Sequence, residues 1–257
     1  LFRKEMYIMN KIFKDRFILF TDASVNGKVD MKHGNSVMGG CCIYDSLTNK
    51  FGNIDLFPFN RATNNFGEMI SIYNAARYCI ELNKSTGETD FTIMSDSQYC
   101  IFSLRDWVYN WYRNVGKNNE YTIFTSSGNP LKNRFLIDSF IMMLCYSNIR
   151  LKLIHVSGHT DSIKKNILEV FCRSNFPNNI ELSIGQKIDL QNELHSFLIG
   201  NIKVDEETRN AFKNNYLEQN AALYEQRQLV FAPTYENMRY YRMHIASRKD
   251  IYNALLC

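Results

Sequence analysis

The stretch Arg16-Phe17-Ile18-Leu19-Phe20-Thr21-Asp22-Ala23-Ser24 constrains the fold of this chain more than any other. Phe17 to Phe20 are consecutive apolar residues in a run too short for a helix, so they read as a strand. Neighbouring strand residues face opposite sides, and an unbroken apolar run therefore needs cover on both faces. A mixed sheet packed between helices supplies that cover. The run ends in Asp22, expected where the strand leaves the core. A lone acid there is most economically a turn residue, helped by Asn26-Gly27 just downstream. The company this acid keeps along the chain favours a different reading.

Two further strands are expected, Ser36 to Asp45 and Lys50 to Phe59, joined by the turn-like Ser46-Leu47-Thr48-Asn49 into an antiparallel meander. Gly39-Gly40 inside the second marks a candidate bulge or a close backbone approach. Thr63 or Asn64 then caps a helix whose apolar positions Met69, Ile72, Tyr73, Ala76, Cys79 and Ile80 follow helical spacing, with Glu68 in its first turns. Phe91 to Ser95 is a short strand that again ends in an acid, Asp96, before Ser97-Gln98-Tyr99 enters a helix. Trp107, Trp111, Arg113 and Lys117 form an aromatic and basic helical segment. Asn129-Pro130 opens another amphipathic helix, with Lys132 and Arg134 exposed in its first turn. Ile149 to Val156 is a fifth strand, running into Ser157-Gly158-His159. Residues 162–199 read as less regular, with an amphipathic stretch from Ile180 to Leu198, and a final helix is expected from Gly200 to about Gln226, carrying Asp205.

Taken singly, Glu68 is an ordinary helix-dipole acid, His159 a satisfied surface histidine, and the Trp107 to Lys117 segment a surface helix. Taken together, Asp22, Glu68, Asp96 and Asp205 place four carboxylates on two strand ends and two helix starts. In α/β sheets, functional sites collect at such strand ends. Hard divalent cations such as Mg²⁺ take oxygen ligands and are held by a few carboxylates when a substrate supplies phosphate oxygens. Zinc is disfavoured, because the seven cysteines form no Cys-x-x-Cys pair. Nucleotide hydrolysis is disfavoured too, since no Gly-rich phosphate loop is present. No apolar run approaches the roughly 20 residues that span a bilayer, so no membrane association is expected. The net charge of +4 permits a polyanionic partner without demanding one. The odd number of cysteines and the lack of a long apolar segment at the start give a cytoplasmic expectation, host cytoplasm for a viral origin.

The motifs Thr21-Asp22-Ala23-Ser24, Thr63-Asn64-Asn65 with Glu68, Ser95-Asp96-Ser97-Gln98-Tyr99, Gly158-His159 and Gly200-Asn201 with Asp205 resemble type 1 ribonuclease H in order and context, over roughly residues 16 to 215. The segments Trp107 to Lys117 and Pro130-Leu131-Lys132-Asn133-Arg134 are similar to that family's basic handle and the helix after it. The resemblance implies a ribonuclease H-like α/β fold, a five-stranded mixed sheet flanked by helices, here with a helical C-terminal extension. It also implies hydrolysis of the RNA strand of an RNA–DNA hybrid, leaving 5′-phosphate and 3′-hydroxyl ends. Two Mg²⁺ ions, with Mn²⁺ as the alternative, would be held by Asp22, Glu68, Asp96 and Asp205. One ion would lower the pKa of the attacking water and the other would stabilise the departing 3′ oxygen. His159 would move protons or help release product. Asn64 and Gln98 would contact the minor groove of the hybrid, where 2′-hydroxyls mark the RNA. Trp111, Arg113 and Lys117 would grip the DNA strand's phosphates.

From His159 to Asp205 is 46 residues, so residues 162–199 look like an insertion before the last motif, and Asp161 is the rival fourth acid. The expected organisation is an N-terminal segment 1–15, a catalytic domain 16–226 and an extension 227–257. The insertion or the extension would be where a protein partner docks. Two other readings are a resolvase- or integrase-like nuclease of the same broad fold, and a catalytically silent scaffold or nucleic-acid-binding subunit. The Thr-Asn-Asn and Asp-Ser-Gln-Tyr contexts disfavour the first, and the complete acid set disfavours the second.

Overall fold

A computed structural model describes residues 16–25, 39–55, 63–108, 111, 128–129, 131–158, 167–175 and 183–213. The N-terminal segment 1–15 and the extension 227–257 lie outside the described residues.

Five strands form one mixed sheet: β1 (Phe17–Val25), β2 (Gly39–Asp45), β3 (Lys50–Asp55), β4 (Asp90–Ser95) and β5 (Arg150–His155), in the order β3-β2-β1-β4-β5. The central β1 pairs antiparallel with β2 and parallel with β4. Gly39 and Gly40, the candidate bulge, instead sit in regular register opposite Val25 and Ser24. Alternation then divides the core as the apolar run in β1 requires. Leu19, Ile93 and Leu151 face one side, and Phe20, Met94 and Ile154 face the other.

The first face is covered by α1 (Asn64–Thr86) and α3 (Arg134–Cys145). Thr63 caps α1 by accepting a hydrogen bond from the Phe66 N–H at 3.2 Å, and Gly87 ends it in the left-handed conformation at φ 74°. Met69, Ile72, Ala76 and Cys79 of α1 are buried, and the Ser71 hydroxyl donates to the Cys42 carbonyl at 2.9 Å, fixing the helix over β2. Helix α3 begins at Arg134, later than Pro130, because Asn133 takes a left-handed turn at φ 55° that only a residue tolerant of that region accepts readily. Arg134 is half-buried and pairs with Asp138 at 3.2 Å.

The other face is covered by α4 (Ile167–Asn175) and α5 (Ile184–Lys213). Here the sequence expectation is corrected. The final helix does not start at Gly200; one 30-residue helix runs through it and takes in most of the amphipathic stretch Ile180 to Leu198. Glycine usually punctuates a helix. At position 200 it is retained because a Cβ there would lie 2.7 Å from Cδ2 of the buried Phe20 and overlap the rest of that ring's edge. The bare backbone lets α5 lie directly on β1. Lys203 ties the helix down further, donating to the Tyr44 hydroxyl at 2.9 Å and to Asn49 Oδ1 at 3.2 Å.

Strand β5 forms the sheet edge and is capped by side chains. The Asn175 amide accepts from the His155 N–H and donates to the His155 carbonyl, both at 2.8 Å, standing in for a neighbouring strand. The buried guanidinium of Arg105, from the π-helical turn Ser103–Trp107 that follows α2 (Gln98–Phe102), holds Asn175 Oδ1, the Leu153 carbonyl and the Ser174 carbonyl. The clasp satisfies the Leu153 carbonyl and both backbone groups of His155, which a neighbouring strand would otherwise pair.

Candidate metal centre

The register of β1 and β4 builds the site. Thr21 is the last β1 residue paired with β4, opposite Ser95, so the next residues, Asp22 and Asp96, emerge side by side at the same level of a parallel pair. Adjacent strands lie about 4.8 Å apart, which puts the two carboxylates within reach of one ion. Asp22 does not end its strand, as expected from sequence. Its antiparallel pairing with β2 continues to Val25, because Gly39 to Ile43 keep supplying partners after β4 has stopped. The acid is therefore buried, at 7% exposure, and its Oδ1 accepts the Ala23 N–H at 2.7 Å. Glu68, in the second turn of α1, arrives from the other face. Ligand oxygens of Asp22, Glu68 and Asp96 all lie within 4.8 Å of one another.

Three carboxylates this close are electrostatically frustrated. Burial, and then the neighbouring Asp96, push the Asp22 carboxyl from 3.8 up to about 8, with smaller contributions from Asp205 and Glu68; the Ala23 hydrogen bond opposes them. Burial also raises Glu68, whose carboxylate is steadied by hydrogen bonds from the Ser97 hydroxyl and the Cys100 thiol. Cys100 Sγ lies 3.9 Å from Glu68 Oε2 and 3.3 Å from the Asn65 carbonyl, while Ser97 caps α2 by accepting from the Cys100 N–H at 3.4 Å. A hard divalent cation is the species that this all-oxygen donor set fits, because its charge would favour the ionised form of all three acids at once.

The fourth predicted acid stands apart. Asp205 lies in the interior of α5, well past its middle, and not at a helix start. It is half-exposed and paired with Arg209 at 2.7 Å, yet its charge is felt at Asp22. Asn64 and Gln98 are each the first residue of their helix, and both are exposed. Trp111 is half-buried and packs edge-on against Trp107 at 6.0 Å, which gives it a packing role whatever else it contacts. His159, Arg113, Lys117 and Asp161 lie outside the described residues.

The structure adds residues that sequence reasoning did not select. Ser97 and Cys100 hold Glu68; Ser97 was legible as a helix cap, whereas nothing in the sequence marked Cys100. His155 is buried, contacts the Phe102 ring at 6.2 Å and is hydrogen-bonded to the Asp96 backbone. Burial lowers its pKa from the ordinary value. Among the described residues, no helix is long and apolar enough to cross a membrane.

Residues 14–168 match the family model described as RNase H. A ribonuclease H of Schizosaccharomyces pombe (strain 972 / ATCC 24843) is 31% identical over 148 residues, covering 57% of this chain and 47% of that protein. The chain thus spans about half the length of that relative. Among solved structures, a foamy viral protease-reverse transcriptase in complex with RNA/DNA hybrid aligns over 65% of this chain and 21% of its own, at 13% identity and a TM-score of 0.43. LC11-RNase H1 in complex with RNA/DNA hybrid aligns over 62% of this chain and 96% of its own, at 13% identity and a TM-score of 0.36.

Proposed function

Because this chain belongs to the ribonuclease H family, we propose that it hydrolyses the RNA strand of RNA–DNA hybrids in a reaction that depends on divalent metal ions. The observation that carries this reading is the convergence of Asp22, Glu68 and Asp96 within 4.8 Å, all inside the matched region. Carboxylates at this spacing are costly to bring together, and holding cations against phosphate oxygens gives the arrangement a use.

Asp22, flanked by Asp96 and felt by Asp205, would hold the cations together with Glu68 and Asp96. Asp205, on α5, would help to hold them from the other side of Asp22. When bound, two Mg²⁺ ions supply an activated water and charge stabilisation at the departing 3′ oxygen, giving 5′-phosphate and 3′-hydroxyl ends. The protein's own contribution is placement. Ser97 and Cys100 orient Glu68, the β1–β4 register aligns Asp22 with Asp96, and the exposed Asn64 and Gln98 are available to read 2′-hydroxyls in the minor groove. Trp111, with Arg113 and Lys117, grips the DNA strand, and His159 serves proton movement or product release.

The test is cleavage of a labelled RNA–DNA hybrid beside matched double-stranded DNA, double-stranded RNA and single-stranded RNA, each with Mg²⁺ and with EDTA. Cutting of the hybrid's RNA strand alone, abolished by EDTA, is the expected result. Cutting of the all-DNA duplex would favour the resolvase-like reading. No cutting of any substrate by folded protein would favour the scaffold reading.

A further inference from the structure

We propose that Gly158 is a positioning residue of the acid cluster: its missing side chain is the space into which the Asp96 carboxylate fits. The segment after β5 follows the end of β4. The Val156 N–H donates to the Ser95 carbonyl at 3.0 Å, and Val156 is buried at 2% exposure, so the backbone that leads to Gly158 is held against the residue next to Asp96. A Cβ at position 158 would lie 3.1 Å from both Cβ and Cγ of Asp96 and would overlap its Oδ2. Carbon atoms in contact ordinarily keep about 3.5–4.0 Å.

The requirement is for space and not for an unusual backbone. Positive φ occurs among the described glycines at Gly87 and Gly128, not at Gly158. Alanine therefore suits the backbone at 158, and the three atoms its Cβ would meet first all belong to the Asp96 side chain. At Gly52 and Gly185, by contrast, an added Cβ meets nothing within 4 Å. With the 156–158 segment pinned by the Val156 hydrogen bond, the softer partner is the Asp96 side chain, which moves by rotating about its own bonds. That rotation carries a ligand oxygen out of the group it forms with Asp22 and Glu68. Gly158 thus sets cation affinity from outside the coordination shell.

This inference rests on the reading of Asp22, Glu68 and Asp96 as metal ligands, and the experiment separates the two. Mg²⁺ and Mn²⁺ are titrated by calorimetry, without nucleic acid, into wild type, Gly158→Ala and the control Gly185→Ala, with folding followed by circular dichroism. The expected result is equal affinity for wild type and Gly185→Ala, and a loss of roughly 10–100-fold for Gly158→Ala, the range typical of residues that orient metal ligands. Equal affinity for wild type and Gly158→Ala overturns the inference while leaving the metal site standing. Folded wild type that binds neither ion overturns the metal site and the inference with it. A second measurement holds if Gly158→Ala is too unstable to titrate. In EDTA, the substitution is expected to lower Tm in the wild-type background and to lower it much less in Asp96→Ala, where most of the clash has been removed. An equal loss of Tm in both backgrounds overturns the inference.

Discussion

The acids from the front half of the chain and the acid on α5 reach the same neighbourhood by different means. Asp22, Glu68 and Asp96 are placed by elements locked to one another: a parallel strand register, a helix pinned to β2 through Ser71, and a capped helix whose Ser97 and Cys100 touch Glu68. Asp205 rides on a single long helix that meets β1 flush at Gly200, and it already has a partner in Arg209. The first arrangement buries Asp22 and raises the pKa values of Asp22 and Glu68; the second leaves its acid partly in solvent beside an arginine. Rigid placement and electrostatic frustration therefore go together, and the frustrated group is the one a cation would relieve.

That contrast is broken or sharpened by substitution. Asp96→Asn should cut metal-dependent hybrid cleavage by about a thousandfold or more, roughly 4 kcal/mol of barrier, whereas Asp205→Asn should cost only about tenfold, near 1.4 kcal/mol. Steady-state rates with circular dichroism as the folding check decide this, and equal losses would erase the distinction between the two regions. Gly200→Ala attacks the α5 side alone. Pressing a methyl into the Phe20 ring should destabilise by about 1–3 kcal/mol despite alanine's better helix propensity, read as a drop in Tm.

The frustrated side predicts a pH dependence of the metal-free protein. The Asp22 carboxyl ionises at 3.8 ordinarily and at about 8 when folded. Between those values the folded chain holds a proton that the unfolded chain has released, so stability in EDTA should fall as pH rises from about 4 to about 8 and level off above. Asp22→Asn should flatten that slope, and denaturant melts across the range check it. The smallest effect is expected at the tether of α5. Lys203→Met loses two hydrogen bonds and a cation–π contact to Tyr44 at 4.9 Å, worth together about 0.5–1 kcal/mol at this partly exposed site.

How far the sequence alone reaches follows the same divide. The β1 run, the Thr63 cap and the strand ending before Asp96 depend on local patterning and short-range chemistry, and each is found where the residues indicate. The five-stranded mixed sheet follows from them. What local reasoning missed depends on contacts between distant segments. Asp22 looked like a strand end because the apolar run stops there, yet the partner β2 extends the strand by three residues. Gly200 looked like a helix start because Gly-Asn with an acid four residues on resembles a motif that opens a helix, yet its neighbour in space is Phe20, 180 positions earlier. Gly158 and Cys100 act through Asp96 and Glu68, and no spacing along the chain shows that.

The most direct test of the central claim, that the Asp22, Glu68 and Asp96 cluster is a divalent-cation site, is the number of protons released when Mg²⁺ binds at pH 7. Calorimetric titrations in buffers of different ionisation enthalpy give that number. With Asp22 pushed up to about 8, cation binding must displace its proton, so about one proton per bound protein is expected for wild type and close to none for Asp22→Asn. Tight binding by wild type with no proton released, or the same release from Asp22→Asn, would contradict the account.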